Sequence, residues 1–339
     1  MKTSIVNTLL AVATALVITS CSSSHHVTQR IVAPQFLKAG DRVAIISMGS
    51  KPGESNPTGA AAVLKEWGFD PVIGQNVLAN HHGYAGTIDQ RRSDLMWALR
   101  DPSIKAIIAT RGGYGTSMLF TAIPLDTLKR YHKWIVGYSD ISSMHSAQVC
   151  AGNMSIHGNM CGALGSRGAT DSVNLLLRDL LTGKAPTYNV PGNPYNHEGH
   201  ATGILMGGNL SVLSNIAGSK DYDFLDRHNL ENRDIILFLE DVGENIMRVN
   251  SMLYQIKVKG IMSHVKGIIM GRFTDYEPSN DYSDMNEMLA ENLKEYNVPI
   301  CFDFPASHDE SWNYPMIEGC PVTLDVTRNN VTLQFNLPR

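Results

Sequence analysis

The sequence predicts an α/β protein with an N-terminal, doubly wound parallel-sheet domain and a smaller, β-rich C-terminal α/β domain. Two observations support this fold class. Short β-branched runs alternate with helical patterns through the first half of the chain, which is typical of right-handed βαβ units. The chain has 339 residues, of which 43% are hydrophobic, and this length and composition suffice for two hydrophobic cores.

The N-terminal domain is predicted over residues 37–165. Its strands are expected where short apolar runs stand between polar turns, and its helices where apolar residues recur with a helical period. Strands are predicted at 42–47, 70–73, 105–110 and 133–137, and helices at 58–67, 88–99 and from Asp140 through Cys150.

The C-terminal domain is predicted over residues 203–339. It is preceded by residues 166–202, whose later part is rich in Pro, Gly and Asn and predicts an interdomain linker. Alternating residues around Asn329 and Asn330 predict a terminal hairpin within 321–335. The other predicted elements are strands at 203–208, 234–240, 265–271 and 298–304 and a helix at 284–296.

The first residues have the composition of an export signal. Lys2 precedes an apolar stretch at 5–18 that is too short for a spanning helix. Ile18-Thr19-Ser20-Cys21 then resembles a bacterial lipobox, in which the cysteine is lipidated. Residues 1–20 are therefore predicted to be a lipoprotein signal peptide and 21–36 a tether. The protein would be lipid-anchored in the cell envelope, at the periplasmic face of a bacterial membrane. An ordinary signal peptide that contains a cysteine is the alternative.

Charge and cysteine usage exclude several classes. The formal net charge is −4 and no Lys/Arg cluster occurs in the sequence, which argues against a nucleic-acid partner. The cysteines after Cys21 fit no C-x-x-C or zinc spacing, so we expect free thiols, with one disulfide as the alternative. The histidines form no H-x-x-x-H or H-E-x-x-H pattern, and no metal or cofactor is predicted. The four cysteines after Cys21 are Cys150, Cys161, Cys301 and Cys320.

Three residues stand where α/β proteins place catalytic groups. Ser139 follows a predicted strand directly and precedes a helix, which is the setting of a nucleophile, although an N-cap serine fits equally well. Glu240 ends an apolar strand, where it either serves a site or caps a turn. His308 follows another strand end and could accept the serine proton, although a lone histidine is often structural. Gly112 and Gly113, after a third strand, could let the backbone bind an oxyanion.

Taken together, these segments resemble the LD-carboxypeptidase family, serine peptidases of the S66 type. The resemblance extends from about Leu37 to Phe335. The segments that carry it are Lys38-Ala39-Gly40-Asp41, Arg111-Gly112-Gly113-Tyr114-Gly115, Gly137-Tyr138-Ser139-Asp140, Gly207-Gly208-Asn209-Leu210, Phe238-Leu239-Glu240-Asp241 and Phe304-Pro305-Ala306-Ser307-His308.

The resemblance implies a Ser-His-Glu triad of Ser139, His308 and Glu240. The backbone N–H groups of Gly113 and Asp140 would form the oxyanion hole. It also implies removal of the terminal D-alanine from a murein tetrapeptide, without a metal or organic cofactor, by a homodimer. The peptidoglycan-derived peptide and the membrane, through the lipid anchor, are thus the expected partners.

Two weaker expectations concern substrate binding. Arg111 could pair with the substrate's terminal carboxylate, or it could form a structural ion pair. Tyr114 could line the pocket or belong to the core. Two positions near the predicted site depart from the family pattern: Ser307 replaces the usual glycine before the histidine, and Arg248-Val249-Asn250-Ser251 lacks the usual acidic–arginine pair.

Three other functions remain open. The first resembles that of the microcin-immunity enzymes, which cleave an aminoacyl–nucleotide amide; Trp312 is a candidate to stack on the base, although a core or rim tryptophan fits as well. The second is a lipoprotein that binds cell-wall peptide without cutting it. The third, a structural envelope protein, would leave the glycine-rich turn and the three strand-end residues unexplained.

Overall fold

A computed structural model describes residues 30–309 and 312–337. Cys21 and the expected signal peptide lie outside these residues. Seven of the residues predicted as tether are described, and they do not form one. Val32 forms a parallel bridge with Asn153, and the Phe36 ring stacks on Trp134 with centroids 5.5 Å apart. The tether prediction is therefore wrong at its C-terminal end, because apolar side chains there pack against the core.

The described residues form thirteen strands and ten α-helices. The strands are β1 (Arg42–Ile46), β2 (Asp70–Ile73), β3 (Ile104–Ala109), β4 (Trp134–Gly137), β5 (Ser155–His157), β6 (Thr187–Pro191), β7 (Gly199–Asn209), β8 (Ile235–Val242), β9 (Val265–Thr274), β10 (Ile300–Phe304), β11 (Met316–Glu318), β12 (Pro321–Val326) and β13 (Asn330–Phe335). The helices are α1 (Asn56–Glu66), α2 (Ile88–Arg100), α3 (Leu125–Arg130), α4 (Ser142–Cys150), α5 (Cys161–Arg167), α6 (Ser172–Leu181), α7 (Leu210–Asn215), α8 (Arg227–Leu230), α9 (Ile246–Val258) and α10 (Met285–Leu293).

The N-terminal sheet confirms the predicted doubly wound arrangement. Its order is β11-β5-β4-β3-β1-β2, and all neighbours from β2 to β5 are parallel. Strands β3 and β4 are buried almost throughout, which explains their continuous apolar runs. Helix α2 begins with a capping box between Thr87 and Gln90. Because the strands are parallel, the loops after β3 and β4 lie at the same edge of the sheet.

The C-terminal sheet is mixed. Its order is β10-β9-β8-β7-β12-β13-β6, parallel from β10 to β7 and antiparallel beyond. The predicted hairpin is confirmed by the antiparallel pairing of β12 and β13. The domain is α/β as predicted. It is not the smaller one by strand number, because it has seven strands against six in the described part of the chain.

The predicted linker at 166–202 contains regular structure. Helix α6 and strand β6 lie inside it, and β7 begins at Gly199. The prediction failed because β6 is a short edge strand in which only Tyr188 and Val190 are buried. With only two buried side chains in a segment rich in Pro, Gly and Asn, the alternation of apolar and polar residues is too short to predict a strand.

Strand β11 joins the two sheets. It lies between β10 and β12 of the C-terminal sheet in sequence, yet it pairs antiparallel with β5 of the N-terminal sheet. Glu318, at its end, is buried and accepts a hydrogen bond from the Gly207 backbone N–H at 2.7 Å. Cys150, Cys161, Cys301 and Cys320 are free, as expected. Within the described residues, no helix has the length and apolar character needed to cross a membrane.

Candidate active site

Ser139 lies on a strained turn at the carboxyl edge of the N-terminal sheet. Strand β4 ends at Gly137, and a 3₁₀-helix begins at Ser139 itself, whose φ is +63°. A positive φ is uncommon for a residue other than glycine and is typical of a nucleophile elbow. Neighbouring glycines make room for this turn. A Cβ added at Gly112 would lie 2.8 Å from Ser139 Cβ, and one at Gly137 would lie 2.8 Å from Ile141.

Asp140 ties the glycine loop after β3 to this turn. Its carboxylate accepts hydrogen bonds from the Thr116 backbone N–H at 2.8 Å and from the Thr116 hydroxyl at 2.7 Å. Burial raises the pKa of Asp140, and the bonds from Thr116 oppose this shift. Buried Arg91 donates to the Gly115 carbonyl at 2.7 Å and so holds the other end of the loop. The loop that contains Gly113, with φ of +84°, is thereby fixed beside Ser139.

Glu240 and His308 form a buried pair supplied by the C-terminal domain. Glu240, in β8, is fully buried, and its Oε2 lies 2.7 Å from His308 Nδ1. His308 follows β10, and its ring meets the Tyr138 ring edge-on with centroids 5.2 Å apart. Burial lowers the pKa of His308, but the charge and hydrogen bond of Glu240 raise it, and the net shift is upward. The imidazole is therefore both oriented and made more basic.

Ser139 and His308 line one cavity of about 540 Å³, together with Gly113 and Asp140. Of the two hydrogen bonds in the triad that the family resemblance implies, the one between Glu240 and His308 is formed. His308 Nε2 has no hydrogen-bond partner among the described residues, so the bond to Ser139 is not formed. Such bonds are often loose in ligand-free enzymes and tighten around the substrate.

A chain of amides holds the loop that carries His308. The Ser307 backbone N–H lies 3.4 Å from Asn313 Oδ1. Asn313 donates to Asn159 at 3.2 Å, and Asn159 donates to Asn174 of α6 at 3.0 Å. Ser307 is itself fully buried, and its hydroxyl accepts from the Asp309 backbone N–H at 3.1 Å. This network could not be predicted from the sequence, because these asparagines are far apart in the chain and belong to no motif.

Charged side chains surround the mouth of the cavity. Arg111 lines it and donates to the Lys51 carbonyl at 3.4 Å, and it has no carboxylate within ion-pair distance in the part of the chain that the structure describes. Arg248 pairs with Glu244 at 2.8 Å, and both also line the cavity. Tyr114 is 77% exposed, so it is a cavity residue and not part of the core.

Asp241 is a second buried acid beside Glu240. Its carboxylate accepts hydrogen bonds from Asn209 at 3.0 Å and from the Ser211 backbone N–H at 2.8 Å. Burial and the neighbouring Glu240 charge raise the pKa of Asp241 to about 6. It connects β8 to the start of α7 and fixes the wall of the cavity that belongs to the C-terminal domain.

Trp312 does not line the cavity. It is 45% exposed, and the Arg272 guanidinium lies over its ring at 5.0 Å from the centroid. Among residues 30–309 and 312–337, no group of three or more His, Cys, Asp or Glu side chains is placed to hold a metal ion.

Comparison with known proteins identifies the family. Residues 43–158 match the LD-carboxypeptidase N-terminal domain, and residues 202–324 match the LD-carboxypeptidase C-terminal domain. The chain is 30% identical to the probable murein peptide carboxypeptidase of Bacillus subtilis, over 78% of this chain and 82% of that protein.

Solved structures show the same fold. The muramoyltetrapeptide carboxypeptidase of Oxalobacter formigenes is 27% identical and superimposes with a TM-score of 0.76, covering 88% of this chain and all of that one. MccF bound to glutamyl sulfamoyl guanosine has the same TM-score at 20% identity and covers 90% of this chain and 98% of its own. The chain belongs to the LD-carboxypeptidase family.

Proposed function

We propose that this protein is a serine LD-carboxypeptidase that removes the C-terminal D-alanine from murein tetrapeptides. The observation that carries the proposal is the buried Glu240–His308 pair, because His308 lines the same cavity as Ser139 on its strained turn. Relatives named as murein peptide or muramoyltetrapeptide carboxypeptidases support the choice of substrate.

The reaction begins with attack of Ser139 Oγ on the carbonyl that precedes D-alanine. His308 Nε2 takes the serine proton, and Glu240 stabilises the resulting imidazolium. The backbone N–H groups of Gly113 and Asp140 donate to the oxyanion. When the tetrahedral intermediate collapses, the peptide C–N bond breaks and His308 passes its proton to the leaving D-alanine amine. Water, activated by His308, then hydrolyses the acyl-enzyme and restores Ser139.

The free Nε2 of His308 supports this mechanism. A buried ring nitrogen without a partner costs free energy unless a ligand or reacting group satisfies it. Glu240 occupies Nδ1, so Nε2 is the atom left for the serine proton.

Arg111 binds the terminal carboxylate of the substrate. A carboxypeptidase must recognise that charge, and a guanidinium does so with two parallel hydrogen bonds. Arg111 lines the cavity and has no ion-pair partner in residues 30–309 and 312–337. Tyr114 covers the same mouth and provides an aromatic surface for the substrate.

A lipid on Cys21 anchors the enzyme to the envelope, with the catalytic domains at the periplasmic face of the membrane. The support is the lipobox-like Ile18-Thr19-Ser20-Cys21 after an apolar stretch. The enzyme acts as a homodimer, as the resemblance to the family implies. Mass spectrometry of the membrane-extracted protein would test the lipid, and light scattering of the soluble chain would test the dimer.

Two observations count against the rival functions. Trp312, the candidate to stack on the base of an aminoacyl–nucleotide substrate, lies outside the cavity with Arg272 over its ring. A protein that only binds peptide would have no need for the positive φ of Ser139, which costs on the order of 1–3 kcal/mol.

The test is release of D-alanine from a diaminopimelate tetrapeptide by the chain beginning at Ser22, with Ser139→Ala in parallel. All described helices and strands follow residue 30, so this chain keeps them. We expect release by the native chain and a loss of about 10⁴-fold or more in the variant. No release by the native chain would refute the proposal, and equal release by the variant would refute the role of Ser139.

A further inference from the structure

A second cavity, of about 300 Å³, opens at the opposite end of the N-terminal sheet from Ser139. Apart from Tyr131, its titratable lining residues are all basic, and no Asp or Glu lines it. They are Arg100, Lys105, Arg130, His132 and Lys133, which we call the basic cavity. This concentration is notable in a chain whose formal net charge is −4.

The positive charge of the basic cavity is largely unneutralised. In the described residues, Arg100, Lys105 and Arg130 have no carboxylate within ion-pair distance. Asp101, which follows Arg100 in the chain, pairs instead with Arg42 at 3.2 Å. Lys133 is buried and donates to the Ile104 carbonyl at 2.6 Å. Burial lowers the pKa of Lys133 to about 8, and the charge of Lys105 acts in the same direction.

The topology places the basic cavity away from the active site. Lys133 comes directly before β4, and Ser139 comes two residues after its end. Lys105 is the second residue of β3, and Arg111 comes two residues after the end of that strand. Since β3 and β4 are parallel, the two cavities lie at opposite edges of the sheet, about 15–20 Å apart.

The N-terminal segment enters the fold beside the basic cavity. Gln35 lines it, and Val32 pairs with Asn153, whose side chain also contacts His132. Gln35 is the fourteenth residue after Cys21, which gives a contour length of about 50 Å at most. A lipid on Cys21, which is part of the proposed function, would therefore be joined to the fold at the end of the sheet that carries the basic cavity.

We infer that the basic cavity is a docking surface for the headgroups of anionic phospholipids. The headgroup phosphates would meet unpaired guanidinium and ammonium groups at the edge where the tether enters. The active-site cavity would then open away from the membrane, towards the cell wall. Such attraction is electrostatic, so it weakens as the ionic strength rises.

The test is co-sedimentation of the chain beginning at Ser22, which has no lipid, with phosphatidylcholine vesicles with and without phosphatidylglycerol. We expect binding only to the anionic vesicles, and release at high salt. The Arg100→Gln/Lys105→Gln/Arg130→Gln variant should bind at least about tenfold more weakly. The matched control, Lys220→Gln/Arg227→Gln/Lys294→Gln, changes the net charge equally on exposed residues of the C-terminal domain and should bind as the native chain does.

Two results would overturn the inference directly: no binding of the native chain to anionic vesicles, or an equal loss of binding in the control variant. A third would be displacement of the bound chain by inorganic phosphate when the total ionic strength is held constant, because this would identify a site for a free anion. All variants should release D-alanine at the native rate from a soluble tetrapeptide. A failure in the vesicle assay with full release would therefore leave the proposed peptidase activity intact.

Discussion

The two sheets position their parts of the active site by different means. The N-terminal sheet holds Ser139 through its backbone, by a positive φ and by glycines that clear space around the turn. The C-terminal sheet holds Glu240 and His308 through buried charge, at a hydrogen-bond distance of 2.7 Å. Substitutions near Ser139 should therefore lower activity by displacing the turn. Substitutions in the Glu240–His308 pair should lower it by changing the protonation of His308.

The largest effect short of removing the nucleophile is expected from Glu240→Gln. An amide facing His308 Nδ1 removes the negative charge and favours the wrong tautomer, so kcat should fall by about 10³–10⁴-fold. His308 must be neutral to accept the serine proton, and its pKa is raised in the native enzyme. Native activity should therefore rise with pH through a pKa above 6.5, and the remaining activity of the variant should rise at a lower pH. A pH profile of kcat/KM for both proteins checks this, and identical profiles would contradict it.

A smaller loss, of about 10²–10³-fold in kcat, is expected from Gly112→Ala. The added Cβ would lie 2.8 Å from Ser139 Cβ and 3.2 Å from the Asp140 backbone nitrogen, so the turn and the oxyanion donors must shift. The matched control is Gly162→Ala, which lines the same cavity but approaches nothing closer than Asn56 at 3.4 Å. In contrast to the Glu240 variant, the pH profile should keep its shape. Native kcat in Gly112→Ala would show that the clearance is not needed.

Arg111→Gln tests substrate binding at the mouth of the cavity. Arg111 is part neither of the Ser139 turn nor of the Glu240–His308 pair. Loss of a bidentate carboxylate contact should lower kcat/KM by about 10–100-fold. We expect the loss mainly in KM, with the pH profile unchanged. A substrate whose terminal carboxylate is amidated separates binding from structural damage, because the native enzyme and the variant should cleave it equally slowly. If the variant still preferred the free acid over the amide by the native factor, Arg111 would not be the carboxylate ligand.

The smallest effect on catalysis, and one on stability, is expected from Glu318→Gln at the junction of the sheets. Burial raises the pKa of Glu318 from 4.5 to about 8, so the folded protein binds a proton more tightly than the unfolded chain. Native stability should therefore fall as the pH rises from 4.5 towards 8, by an amount on the order of a few kcal/mol. Glutamine resembles the neutral acid, so this part of the pH dependence of Tm should disappear in the variant. An unchanged slope would show that Glu318 is not the group responsible.

The contrast between the sheets also explains what the sequence could predict. Strands β1 to β4 were located within one or two residues, because buried parallel strands give continuous apolar runs. The glycine loop and the Ser139 turn were found because strand, turn and helix are contiguous there. Strand β6 was missed because an edge strand buries few side chains, and β11 because its partner lies in the other domain.

Features that depend on tertiary structure could not be predicted from the sequence. The Asp140–Thr116 bonds and the chain from Ser307 through Asn313 to Asn159 join residues that no local pattern connects. The basic cavity is a similar case. Its basic residues are dispersed in the sequence between Arg100 and Lys133, where they form no cluster. The parallel pairing of β3 and β4 brings them together in the fold.

The most direct test of the central claim, that Ser139 and Glu240 act as one unit across two sheets, is a double-mutant cycle. D-alanine release would be measured for the native chain, Ser139→Ala, Glu240→Gln and the double variant. If Glu240 acts only through the proton transfer from Ser139, the double variant should release D-alanine at the rate of Ser139→Ala alone. If the two losses instead multiply, Glu240 contributes independently of Ser139, and the account of a single catalytic unit is contradicted.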